Sequence, residues 1–229
     1  MQNELLFFLM FFVDFGLLLL LYRLFGRIGI YAWIPAATIL ANIQVMKTVV
    51  IFGMTATLGN AAYASIFLAT DILSENYGKK EARIAVWLGL AASLAATLVM
   101  SIAVWFVPAE NDFAHESLKG LFTVMPRVAM ASLIAYLISQ FNDISLYHLL
   151  KKAKPSVGFL WMRNNGSTLV SQLLDSLIFA TFAFWGMFPL KDFISIVVTT
   201  YLFKALGALL DTPCIYVAAQ WFVKGKIRD

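Results

Sequence analysis

Asp175 lies near the middle of Ser167 to Trp185, an apolar stretch long enough to cross a bilayer. A charge at that depth costs about 2.5–3.5 kcal/mol on insertion scales. Chains keep such residues where they face a partner, a cavity or a substrate. Gln172 stands three residues earlier and shares its helical face. Other apolar stretches carry Asn42, Asp71, Arg127, Gln140, Lys204 and Asp211. Carboxylates, cations and amides of this kind can neutralise one another, or they can hydrogen-bond a planar polar molecule. Catalysis would need a nucleophile with its base, or a metal. His115 and His148 fall at different depths, and no acid-and-histidine ligand spacing is present. The one cysteine, Cys214, can build neither an internal disulfide nor a thiolate cage. No enzyme, metal or cofactor is expected, and there is no Gly-rich Lys-Ser/Thr loop for ATP.

The surroundings of these residues are those of a membrane protein. The 229 residues are 61% hydrophobic and 13% charged, where soluble domains carry about a quarter charged. Mean hydropathy is +0.82. The net charge of +4 sits in short loops between apolar runs, which argues against nucleic acid as a partner. The first run has Glu4 before it, Arg23 and Arg27 after it, and no small-residue cleavage site. It reads as a retained helix rather than a signal peptide.

A helical span needs about 20 apolar residues. Seven runs qualify, roughly 4–23, 28–50, 53–73, 84–107, 120–150, 165–188 and 192–223. No period-2 alternation of the barrel kind appears, so the expected fold is an all-α integral membrane protein of about seven transmembrane helices. Pro213 predicts a kink in the seventh. With the amino terminus outside, Arg23, Arg27, Lys79, Lys80, Arg83, Lys151, Lys152, Lys154, Arg163, Lys224, Lys226 and Arg228 fall inside. Lys47, Lys119 and Lys191 fall outside with the acidic loop Glu110, Asp112 and Glu116. Twelve basic residues against three give the amino terminus outside and the carboxyl terminus cytoplasmic. The chain reads as a single domain over residues 1–229, multi-pass in the cell membrane.

The polar residues within the runs have definite expectations. Gly89, Ala92, Ser93 and Ala96 form a small-residue face for close helix packing. Asn42 can make an interhelical hydrogen bond, while Lys47 can snorkel. Asp71 and Glu75 share a face just before Lys79, Lys80 and Arg83, which predicts an interfacial ion-pair cluster or a gate. Pro126 fits a helix's first turn. Arg127 and Asn142 lie within about 60° on one wheel and Gln140 points elsewhere, so that helix should be buried in a bundle. Asp143 follows Asn142 in the same stretch. Lys204 and Asp211 share a face at about 10 Å, too far for an ion pair. Gly207 and Ala208 lie near that face and would keep it open for a planar ligand or another helix. Tyr201, Phe203, Phe184 and Trp185 are the nearby aromatics. By depth, Asn42, Gln140, Gln172, Asp175, Lys204 and Asp211 share the middle layer, with Arg127 above and Asp71 below. Such a layer is a self-neutralising network or a midplane cavity, and transporter sites lie at that depth.

The motifs themselves resemble a known family. AN at 41–42, FLATDILSENYG at 67–78, PRVAMASLIAYLISQFND at 126–143, STLVSQLLDSLIFATFAFW at 167–185 and YLFKALGALLDTP at 201–213 are similar to those of YhhQ-type queuosine precursor transporters, also described as vitamin uptake transporters. The resemblance covers about residues 28–223, with residues 1–24 as an added first helix. It implies a six-helix core like the substrate-binding subunits of energy-coupling-factor systems, and import of 7-cyano-7-deazaguanine or 7-aminomethyl-7-deazaguanine. It also implies functional roles for Asn42, Asp71, Arg127, Gln140, Asp175 and Lys204. Glu75 departs from members with a basic residue there.

The residues suit such a ligand. A carboxylate can accept the adjacent N–H and NH₂ of a deazaguanine edge together, and Asp175 is placed for this. Lys204, Arg127 or Gln140 could donate to the neighbouring carbonyl. Asp71 or Asp211 could pair with an aminomethyl cation, and Asn42 could donate to a nitrile. Asp175 is also the candidate to carry a proton. The expected partners are a small 7-deazaguanine and the lipid bilayer, with a second copy of the chain as a further option. The alternative is a capture subunit docking on an ATP-driven coupling module, for which Ala37 and Ala41 offer a small-residue contact that helix packing explains equally well.

Overall fold

The computed structural model describes residues 2–122, 126–186 and 189–227. Helix α1 spans Gln2–Gln44, a length of about 65 Å at 1.5 Å per residue, or two bilayer cores. It is in fact two arms. Gly26, at φ 56° and ψ −138°, reverses the chain in a conformation that suits glycine. The arms return side by side, so that Asn3 bonds to Val50 O and Glu4 accepts from Phe52 N. Gly29 lets them touch, because a Cβ there would lie 2.2 Å from Leu21 O. On the first arm Phe7, Phe11, Phe15, Leu18 and Tyr22 form the buried stripe, while Leu5, Leu9, Phe12 and Leu20 face outward. Apolar residues on both faces mark a helix between core and lipid.

The second and third runs are shorter than the sequence suggests, because a β-hairpin takes the residues between them. Strands β1 (Thr48–Ile51) and β2 (Met54–Thr57) pair antiparallel, with Thr48 opposite Thr57. Their turn puts Phe52 at φ 50° and Gly53 at φ 73°, the double positive φ of a tight hairpin turn.

Helix α2, Asn60–Asn76, follows and is the axis of the bundle. It touches helices on every side, and Asn60 to Ser74 are all buried. Helix α3 (Lys79–Val104) leaves through Gly78 at φ 94°. The small-residue face works as expected: a Cβ on Gly89 would lie 2.4 Å from the Tyr136 hydroxyl and 3.0 Å from Ile34 Cγ2. The fifth run divides into a short exposed helix α4 (His115–Phe122) and a long α5 that begins at Pro126 and ends at Ala153. A 3₁₀ turn (Val157–Phe159) leads into α6, Leu160–Phe184. Arg163 therefore belongs to a helix and is fully buried, not a loop residue. Helices α7 (Leu190–Leu210) and α8 (Thr212–Val223) meet at Asp211, where Pro213 breaks the hydrogen-bond ladder as expected.

Among the described residues, four helical stretches are long and apolar enough to cross a membrane: Gln2–Gln44, Lys79–Val104, Val157–Ala183 and Val197–Val223. The chain is an α-helical integral membrane protein. Ala37 and Ala41 are fully buried within it, so this small-residue pair serves helix packing inside the bundle.

Candidate functional site

Polar side chains from α1, α2, α3, α5, α6 and α7 meet along the bundle axis. Lys204 reaches from α7 to Asp175 on α6, and the two form a buried ion pair through Asp175 Oδ2. The other oxygen accepts from Ser139 Oγ on α5 at 3.0 Å. The Lys204 ammonium also lies 4.9 Å from the centre of the Tyr63 ring on α2. Asp175 and Lys204 are 1% and 6% exposed, so nearly all their interaction is out of water.

From this pair a chain of contacts runs toward the hairpin end. The Tyr63 hydroxyl is 3.3 Å from Ser132 Oγ, which donates to Asn42 Oδ1 at 3.0 Å. Asn42 Nδ2 in turn donates to Ser93 Oγ at 2.6 Å. Asn42, Ser93 and Ser132 line a cavity of about 180 Å³, with Leu121 and Phe122 of α4 also in its wall. A second cavity of about 420 Å³ lies between the arms of α1 and the hairpin. Asp14, Gln44 and Lys47 line it, and no predicted site residue does.

Gln172 lies one turn from both Asp175 and Thr168 on α6. It is fully buried, and neither its carbonyl nor its amide nitrogen has a partner. Gln140 on α5 accepts from Thr70 Oγ1 at 3.1 Å and leaves its own nitrogen unpartnered. The Ser176 hydroxyl is likewise buried and open. Buried polar groups are nearly always hydrogen-bonded, so several open ones together are what a binding site leaves ready for a ligand.

Farther along the axis, Asp71 accepts from Thr168 Oγ1 at 3.3 Å and lies against Asp143. Asp211, at the junction of α7 and α8, accepts from Asn164 Nδ2 at 2.6 Å. A polar clasp follows at the basic end. Glu75 pairs with Arg163 at 2.9 Å and Lys151 at 3.2 Å, and accepts from Tyr147 at 2.8 Å.

The structure thus pairs Asp175 with Lys204, sets Gln172 one turn from Asp175 and Gln140 next to the Ser139 that bonds to it, and links Asn42 to Lys204 through Ser132 and Tyr63. It corrects other expectations. Glu75 pairs with Lys151 and Arg163 rather than with Lys79, Lys80 or Arg83, and Asp71 lies too deep to join an interfacial cluster. Lys204 and Asp211 do not frame an open face. Each is committed to another helix, and a Cβ on Gly207 between them would lie 2.8 Å from Ala64 Cβ and Phe11 Cε1. Helix packing wins there because glycine admits α2 and α1 closely. Arg127 is in the first turn of α5, with its side chain outside the described residues. The ring at the ion pair is Tyr63, while Phe203 packs edge-on against Phe7 at 5.5 Å. Tyr63, Ser132 and Ser139 went unread because tyrosine and serine raise no alarm in an apolar run.

A family model described as "Putative vitamin uptake transporter" matches residues 57–218, which include every helix around this site except α1. The chain belongs to that vitamin uptake transporter family. One relative in it is the "Probable queuosine precursor transporter" of Bacillus subtilis (strain 168), 45% identical over 91% of each chain. The "Queuosine precursor transporter" of Escherichia coli (strain K12) is 28% identical over 74% of this chain and 75% of its own. A protein named "Probable queuosine precursor transporter" from Haemophilus influenzae is 26% identical over 71% of this chain and 68% of its own. No solved structure matches. Membership adds a small-molecule substrate and a bilayer to the geometry, and the family's multi-pass character agrees with the apolar helices.

Proposed function

We propose that this protein imports a queuosine precursor, 7-cyano-7-deazaguanine or its 7-aminomethyl counterpart, and binds it beside Asp175 and Lys204. The observation that carries the reading is the buried Asp175–Lys204 pair next to fully buried amides with open bonding capacity. Lys204 and Ser139 occupy the two Asp175 oxygens. A deazaguanine edge offers an N–H and an NH₂ side by side, which would replace them as donors. Lys204, released, would donate to the neighbouring carbonyl. Tyr63 already presents its ring face to the ammonium and would give the bicycle a surface to stack on. Gln172 and Gln140 would bond to the remaining edges. Asp71 or Asp211 would receive an aminomethyl cation, Asn42 would meet a nitrile near the entry, and Arg127 would stand above them.

The chain works alone in this reading, without catalysis, a metal or a cofactor. It crosses the membrane seven times, with its amino terminus outside and its basic end cytoplasmic. The cavity at Asn42 is then the outer vestibule, and the Glu75 clasp is the inner gate. The test is uptake of labelled 7-cyano-7-deazaguanine in a host lacking its own importer, precursor synthesis and any energy-coupling module. Uptake by the wild type that fails in Asp175→Asn at equal membrane level supports the reading. No uptake by folded wild type points to a capture subunit or to another ligand.

A further inference from the structure

Among the described residues, four aspartates are buried along the axis, Asp71, Asp143, Asp175 and Asp211, and one lysine, Lys204, is buried with them. Lys204 is committed to Asp175. Arg163 is committed to Glu75 and to the carbonyls of Lys154 and Ser156, at 2.8 and 2.9 Å. Among the described residues, therefore, no cation is paired with Asp71 or Asp143. Their carboxyls lie within hydrogen-bonding reach of each other across α2 and α5. The hydroxyls of Ser167, Thr168 and Ser171 stand around Asp143, but neither of its oxygens closes a well-formed bond with a donor.

Two ionised carboxylates in contact away from water repel each other and lack the donors to offset their burial. One proton between them turns the contact into an O–H···O bond. A second observation points the same way. Gln140, one turn from Asp143, is fully buried with its oxygen on Thr70, the neighbour of Asp71, and its nitrogen open. Gln172, equally buried and wholly open, stands one turn from Thr168, which touches Asp71. Gln172 also stands one turn from Asp175, and Gln140 next to the Ser139 that bonds to Asp175.

We propose that Asp71 and Asp143 form a proton-binding pair that couples substrate import to the proton gradient. The inference rests on the import reading above for its substrate but not for its proton. The step involves O–H bonds alone. A proton from outside water joins one carboxylate and bonds to the other, and it leaves to inside water once the substrate has passed. The titratable groups facing the pair are Asp211 from the α7–α8 junction and Tyr147, whose hydroxyl bonds to Glu75 in the clasp with Lys151 and Arg163. Of the charged groups of α1 and α3 at that end, Arg27 lies by Glu81, Arg23 over Trp221 and Arg83 over Phe141, while Lys79 and Lys80 stand in the first turn of α3.

The experiment uses the full chain in liposomes. Exchange of labelled for unlabelled 7-cyano-7-deazaguanine needs no driving force and tests the substrate. An imposed pH gradient tests the coupling, and one proton per neutral substrate gives about tenfold accumulation per pH unit. Asp143→Asn is expected to keep exchange and lose that accumulation. Infrared difference spectra of the purified protein across pH test the proton without any substrate. In an Asp211→Asn background, which removes the other buried carboxyl without a cation, the protein should show the carbonyl band of a buried carboxylic acid, and the band should vanish when either Asp143→Asn or Asp71→Asn is added. Exchange without any response to the gradient, or a band that persists in both variants, would overturn the proposal. If the wild type fails to exchange this substrate, the import reading fails and the infrared band decides the proton site by itself.

Discussion

Separating the structural from the functional role of the central ion pair takes three variants. Lys204→Met removes the ion-pair partner of Asp175 and leaves the carboxylate, among the described residues, with the Ser139 hydroxyl. Breaking a buried pair from one side costs about 3–5 kcal/mol, because the remaining charge is uncompensated. Asp175→Asn strands the ammonium instead, but that ammonium keeps the Tyr63 ring at 4.9 Å. A desolvated cation–π contact is worth about 2 kcal/mol, so this variant should lose only about 1–3 kcal/mol. The double variant Asp175→Asn/Lys204→Met removes both charges and should return to within about 1 kcal/mol of the wild type. The coupling between the two sites is then about 3 kcal/mol or more. Reversible denaturation of the purified protein in mixed micelles measures all three stabilities, and uptake assays measure function. All three variants should be inactive, including the double variant with its restored stability. Additive stability losses, or single variants as stable as the wild type, would refute the reasoning, and an active double variant would remove the pair from the substrate site.

Three further outcomes follow from the geometry. Gly26→Ala places a side chain at φ 56°, and Gly29→Ala puts a Cβ 2.2 Å from Leu21 O, so each should cost about 1–3 kcal/mol or more and reduce folded protein in detergent. Glu75→Gln strands the fully buried Arg163 and should destabilise by about 3 kcal/mol on the same denaturation assay, whereas Lys151→Gln, on the more exposed arm of the clasp, should stay within about 1 kcal/mol. Guanine should compete for uptake more strongly than adenine, since adenine lacks the paired N–H and NH₂ that Asp175 would accept, and equal competition would take Asp175 away from that edge.

Much of this arrangement could be read from residue type and depth. Polar groups in apolar runs are costly, so Asp175, Gln172, Gln140 and Lys204 stand out; Asp175 and Lys204 pair, and the two amides are buried. Depth along a helix is fixed by 1.5 Å per residue, which put them in one layer. Rotation between helices is not written in any single segment. For that reason the Asp71–Asp143 contact, formed between α2 and α5, is out of reach, and the shared depth of Lys204 and Asp175 does not by itself show that the two pair. The hairpin was missed because Val49, Val50 and Ile51 are as apolar as a span, and Phe-Gly is a weak turn signal beside Asn-Gly. The turn at Gly26 was legible only as the gap between two runs.

What most needs testing is whether a deazaguanine sits at Asp175 during transport by this chain alone. The most direct measurement is uptake of labelled 7-cyano-7-deazaguanine by wild type and Asp175→Asn in a host without precursor synthesis, another importer or an energy-coupling module. The account predicts uptake by the wild type and none by the variant at equal membrane abundance. Equal uptake by both, or none by a folded wild type, would contradict it.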